Sequence, residues 1–106
     1  MPIYLWRASY SAEGAKRLLK DGGTKRRVAI QQLVDSAGGK LHAYYYSFGE
    51  SDVCAIAEFP DAATAAAVSL AVNSSGFAQV QTTVLITAED VDAASKKSVV
   101  YRPPGT

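Results

Sequence analysis

Glu58 is the side chain with the clearest chemical potential. It closes the apolar run Val53-Cys54-Ala55-Ile56-Ala57-Glu58-Phe59. Strand alternation sends it to the same side as Cys54 and Ile56, opposite Val53, Ala55, Ala57 and Phe59. A carboxyl enclosed between two sheets loses hydration, its pKa rises, and it becomes a general base. An arginine beside it does the reverse. Arg7, on the first predicted strand, is expected on that same side, where it would hold Glu58 ionised as a structural pair. Both roles are open, and the ion pair is the simpler.

The remaining candidates each carry a bland reading beside the chemical one. Cys54 is a nucleophile only as a thiolate, and no histidine or lysine is evident on its face, so a small buried filler is the simpler role. His42, the only histidine, would need acidic partners to hold a metal or move a proton, and nothing in the sequence locates them. No metal site is expected. Asp52 suits the turn before Val53, where aspartate commonly bonds backbone. Tyr45, Gln79 and Gln81 join Arg7, Ser47, Cys54 and Glu58 on one side of the expected sheet, with Ile3, Leu5, Leu41 and Ile56 between them. An apolar floor with a few convergent polar groups has the composition of a small-molecule pocket, and equally of a dimer interface.

These residues are positioned by a regular alternation of elements. Ile3 to Ala8 reads as a strand. Ser11 caps a helix from Ala12 to about Lys20, which Gly22-Gly23 ends. Thr24 is expected to cap a second helical piece with Val28, Ile30, Leu33, Val34 and Ala37 on its apolar stripe, closed by Gly38-Gly39. Leu41 to Phe48 and Val53 to Phe59 form a hairpin across Gly49-Glu50-Ser51-Asp52. If Phe48 faces Val53, then Tyr46 opposes Ala55, Tyr44 opposes Ala57 and His42 opposes Phe59. That side, rings against alanines, is expected to pack under the alanine-rich helix that Asp61 caps, Ala62 to about Asn73. Phe77 to Ile86 is the last strand. Thr87 and Asp90 form a capping box for a short helix to Lys97, and Ser98 to Thr106 is an extended tail after a domain of residues 1–97.

The order βαββαβ, with a broken first helix and a short C-terminal helix, predicts an α+β fold of ferredoxin-like type. Its sheet is four-stranded and antiparallel, with the first and third strands central and helices on one face. The other face stays open unless something covers it, and homodimerisation is the usual remedy.

Composition narrows the function classes. A chain of 106 residues, 48% hydrophobic and 20% charged, builds one ordinary core and no second. A net charge of +1 gives no basis for neutralising a phosphate backbone, and Lys25-Arg26-Arg27 reads as a solvated helix end, so nucleic acid is not an expected partner. The tyrosines from Tyr44 to Tyr46 lie on an edge strand rather than the central strands that RNA-binding sheets use to stack bases. No apolar run is long enough to span a membrane or form a signal-peptide core. The single cysteine forms no internal disulfide, so a reducing, cytoplasmic setting is expected.

Gly49-Glu50-Ser51-Asp52, followed by an apolar strand and then Glu58-Phe59-Pro60-Asp61, resembles the signature of the GYD domain, a family of small bacterial α+β proteins named after a Gly-Tyr-Asp hairpin element. Similarity extends to Ser11 and Gly14, Gly38-Gly39, Gly76 and Thr82, and covers Pro2 to Ala93. Ser51 stands where the family's tyrosine would be, so whatever that ring does is absent or moved here. The resemblance implies a dimer of the α/β-barrel type. It brings no cofactor, assigned reaction or catalytic residue. The expectation is a homo-oligomeric domain that binds a small molecule or serves a regulatory or structural role. The alternative is a small enzyme using Glu58 and Arg7 on an apolar substrate between stacked sheets.

Overall fold

The computed structural model describes the whole chain, Met1–Thr106. In order it contains β1 (Ile3–Tyr10), α1 (Ala12–Asp21), α2 (Gly23–Ser36), β2 (Lys40–Tyr46), β3 (Val53–Glu58), α3 (Ala62–Ser74), β4 (Ala78–Leu85) and α4 (Ala88–Ser95). The strands form one antiparallel sheet in the order β2-β3-β1-β4, which leaves β1 and β3 central as expected.

The helices are set by local signals. Ser11 Oγ accepts the Gly14 N–H at 3.1 Å and also donates to the Phe77 carbonyl at 3.2 Å, so one hydroxyl both caps α1 and ties it to the entry of β4. Gly22 has a φ of 83° and is at once the C-cap of α1 and the N-cap of α2. Thr24 therefore lies inside α2 and does not cap it. Asp61 caps α3 through the Thr64 N–H at 2.7 Å. Thr87 and Asp90 form the reciprocal capping box of α4, which ends at Ser95 rather than Lys97.

The core lies on the helix-covered face. Tyr4 and Trp6 of β1 flank Phe59, whose ring centroid is 6.1 Å from that of Tyr4 and 5.5 Å from that of Trp6. Phe59 and Val34 are fully enclosed, with Ala55, Ala57, Ala65 and Val68 buried around them. The alanines of β3 make this possible. Ala55 is in register with Trp6 on one side and Tyr44 on the other, so a methyl group sits between two large rings and leaves them room to lie side by side.

The hairpin differs from expectation in its register. Tyr46 pairs with Val53, Tyr45 with Cys54 and Tyr44 with Ala55, a shift of two residues that preserves the faces. The cause is the connection. Phe48 takes a positive φ of 48°, the Ser47 N–H donates to the Asp52 carbonyl and the Gly49 N–H to that of Ser51, so Ser47 to Asp52 form the loop. Asp52 does more than close this turn: its carboxylate accepts the Tyr10 N–H at 2.8 Å and fastens the loop to the end of β1. A second difference is a bulge between Leu41 and Ala43. It inserts His42 as an extra residue and reverses the alternation beyond it. Leu41, expected on the open face, pairs with Ala57 and packs against the core, whereas His42, expected opposite Phe59, reaches Glu58 on the open face.

No helix is long and apolar enough to cross a membrane. α4 has no buried residue, and the chain from Lys96 to Thr106 forms no further helix or strand.

Candidate functional site

The open sheet face is arranged in rows set by strand register. At one end Lys40, Glu58, Ile3 and Leu85 lie side by side across the strands. The next row is Ala43, Ile56, Leu5 and Thr83. The third is Tyr45, Cys54, Arg7 and Gln81, and beyond it Ser9 pairs with Gln79. The predicted site residues thus share one face but fall into two groups, separated by the largely apolar row through Ile56 and Leu5.

In the first group His42 Nε2 lies 2.9 Å from Glu58 Oε1. The hydrogen bond from His42 holds the Glu58 carboxyl below its usual range, outweighing the opposing effect of partial desolvation. Glu58 is therefore ionised at neutral pH, with the imidazole as its partner. Arg7 is not that partner. It stands two rows away, beside Cys54 on β3 and Gln81 on β4. A carboxylate and an imidazole at this distance can relay a proton, and the same contact also steadies the bulge.

The second group borders a polar hollow of about 590 Å³ walled by Arg7, Ser9, Gln79 and Gln81 together with the hairpin-loop residues Ser47 and Glu50. It presents a guanidinium, a carboxylate, two amides and hydroxyls and no apolar side chain, so it suits a hydrated polar group. Cys54 is partly buried in the adjoining row, next to Arg7, and Tyr45 is exposed at the sheet edge. No three His, Cys, Asp or Glu side chains gather as a metal ion requires.

Two features escape a residue-by-residue reading. Ser9 and Glu50 reach the hollow only because β1 continues to Tyr10 and the hairpin loop is longer than a tight turn. Strand parity alone puts Ser9 beside Arg7, and this was the available signal. The second feature lies on the covered face, where α2 packs on β2 and α3 on β4 and a cleft opens between them, over Trp6 and Tyr10. It depends on helix spacing, for which the sequence carries no direct signal.

A sequence model described as the GYD domain matches residues 4–95 of the chain. No curated protein and no solved structure matches it.

Proposed function

Because the chain belongs to the GYD domain family, we propose that it acts as a homodimer of the ferredoxin-like, dimeric α/β-barrel kind, two copies stacking their open sheet faces and holding a small molecule between them. The observation that carries this reading is the middle of the open face. Ile3, Leu5 and Ile56 occupy adjacent positions on the two central strands, and no helix of the chain covers them. An apolar centre with a polar rim is the usual build of a protein interface. The rim here is Arg7, Gln79 and Gln81 at one end and Lys40, His42 and Glu58 at the other. Stacking would roof the polar hollow and turn it into an enclosed chamber.

The shape of the chain supports association. Its radius of gyration is 16.9 Å and its longest extent 56 Å, whereas a compact domain of this length has a radius of about 13 Å. Val84, Ile86, Val91 and Val99 are exposed along the end of β4, α4 and the tail, an apolar edge that a second copy would cover.

Leu5→Lys and Ile56→Lys place a charge at the centre of the proposed contact while leaving the helix-covered core untouched. Sedimentation should show a dimer for the native protein and folded monomers for both variants. An unchanged dimer in both would contradict stacking through this face.

The His42–Glu58 pair favours one second reading, a small enzyme in which this pair moves a proton of an apolar substrate held between the sheets. Exchange of the methyl protons of 2-acetylnaphthalene in deuterated water tests for such a base: Glu58→Gln should abolish the protein-dependent exchange, and equal rates would remove the reading.

A further inference from the structure

The covered face holds a second cavity that the dimer reading does not use. It is a cleft of about 390 Å³ between the α1–α2 layer and α3, within the range of small-molecule sites. The helices leave it open because each stands over its own strand, α2 on β2 and α3 on β4. Trp6, Ala8 and Val80 of the sheet form its floor, and Ile30, Leu33 and Phe77 stand around them. Most of the lining is apolar, so it takes the hydrocarbon part of a ligand.

The charged side chains of the cleft are not balanced. Arg17 of α1 and Arg26 of α2 both line it, and Asp21 is the one carboxylate among the lining residues. Asp21 is already engaged by Lys25, whose Nζ stands 3.8 Å from its Oδ1. Neither guanidinium forms a salt bridge. Arg17 is laid over the Phe77 ring, 4.1 Å from its centroid, and this stacking holds the charge beside the apolar wall. Arg26 is only partly exposed, so it has lost some of its hydration with no anion in exchange. The cleft is thus an apolar space with an excess of one positive charge.

We propose that this cleft binds a small amphipathic carboxylate, its hydrocarbon part lying on the floor around Trp6 and its head group held by Arg17 and Arg26. A guanidinium is a planar fork that matches a carboxylate, and it keeps its charge at any working pH. One such anion supplies the counter-charge that Arg26 lacks and that Asp21, engaged by Lys25, does not give. The single excess charge favours a monoanion over a neutral or cationic compound of the same shape. The site lies within a single chain, so it is independent of whether the open faces stack.

Decanoate, decan-1-ol and decyltrimethylammonium share a chain and differ in the charge of the head, which makes them the probes. The chain's only tryptophan lies in the floor and reports their entry through its fluorescence. Below the concentration at which it forms micelles, decanoate should shift that emission. It should bind roughly tenfold more tightly than decan-1-ol, the scale of one hydrogen bond to a charged group. The ammonium should bind most weakly, and added salt should narrow the gap between decanoate and the alcohol. Arg17→Gln combined with Arg26→Gln should bring decanoate down to the affinity of decan-1-ol and leave the alcohol unchanged. Ala71→Phe, which fills the cleft from the exposed side of α3, should weaken both. Equal affinities for the three probes would overturn the proposal, as would no binding of decanoate below its micelle concentration. Decanoate binding that survives Ala71→Phe or the double arginine variant would overturn it too. The three-probe comparison uses the native protein alone, so it decides the matter even if a variant does not fold.

Discussion

His42 Nε2 and Glu58 Oε1 meet at 2.9 Å because a single extra residue in β2 turns the histidine to the open side of the sheet. Without the bulge between Leu41 and Ala43, strict alternation would have put the imidazole under the helices. The contact is thus a product of backbone irregularity, and it holds the Glu58 carboxyl ionised below its ordinary value of 4.5.

That pair sets an acid-side dependence. The folded pKa of Glu58 is lowered, so its contribution to stability is complete above pH 4.5 and is lost as pH falls through the lowered value. Asp61, lowered chiefly by the Thr64 backbone N–H at the N-cap of α3, acts with the same sign. In urea titrations the native protein should lose stability as pH falls below this value. Glu58→Gln should lose less over the same interval. Parallel curves would show that the pair contributes nothing.

On the alkaline side the sign reverses. Burial, with the neighbouring phenols of Tyr10 and Tyr46, raises the Tyr44 phenol above its ordinary value of 10.0. The folded state retains that proton where the unfolded chain releases it, so stability is complete below pH 10.0 and falls as pH rises beyond it. Tyr44→Phe should flatten this alkaline loss, measured by thermal unfolding across the range.

Gly14 is fixed by contact rather than by backbone angle. A Cβ at this position would stand 1.9 Å from the Phe77 carbonyl oxygen, which belongs to backbone already held by the Ser11 N–H and hydroxyl. Gly14→Ala must push α1 away from the start of β4 and should cost about 1–3 kcal/mol or more in urea unfolding, as overpacking does.

Asp52 is expected to act as a clamp. Asp52→Ala removes the acceptor of the Tyr10 N–H and should destabilise the protein by about 1–3 kcal/mol, the range for an orphaned, partly buried donor. Amide exchange at Tyr10 should accelerate. Unchanged exchange at Tyr10 would mean that water replaces the carboxylate without loss.

Much of the fold was legible because local chemistry and hydrophobic pattern agreed. Ser11, Asp61 and Thr87 announced their helices, the glycines marked the breaks, and alternation on β1, β3 and β4 gave the faces correctly. The hairpin was read two residues out of register because Phe48 looks like a strand residue, and only its positive φ, imposed by the hydrogen bonds of the Ser47 to Asp52 loop, ends β2 earlier. The bulge was hidden for a related reason: Leu41-His42-Ala43 contains no glycine or proline to mark it. The bulge joined His42 to Glu58, whereas the register of β1 on β3, which sets Arg7 beside Cys54 and Ile3 beside Glu58, keeps Arg7 away from that carboxylate. The Trp6 cleft depends on where two helices stand relative to each other, a property of the assembled layer and not of any one segment.

The open face around Leu5 and Ile56 is the surface on which we propose that two copies meet. Light scattering of the purified native protein during gel filtration, at micromolar concentration, tests it most directly. Stacked open faces should give a particle of twice the mass of one chain. A monodisperse monomer at that concentration would contradict it.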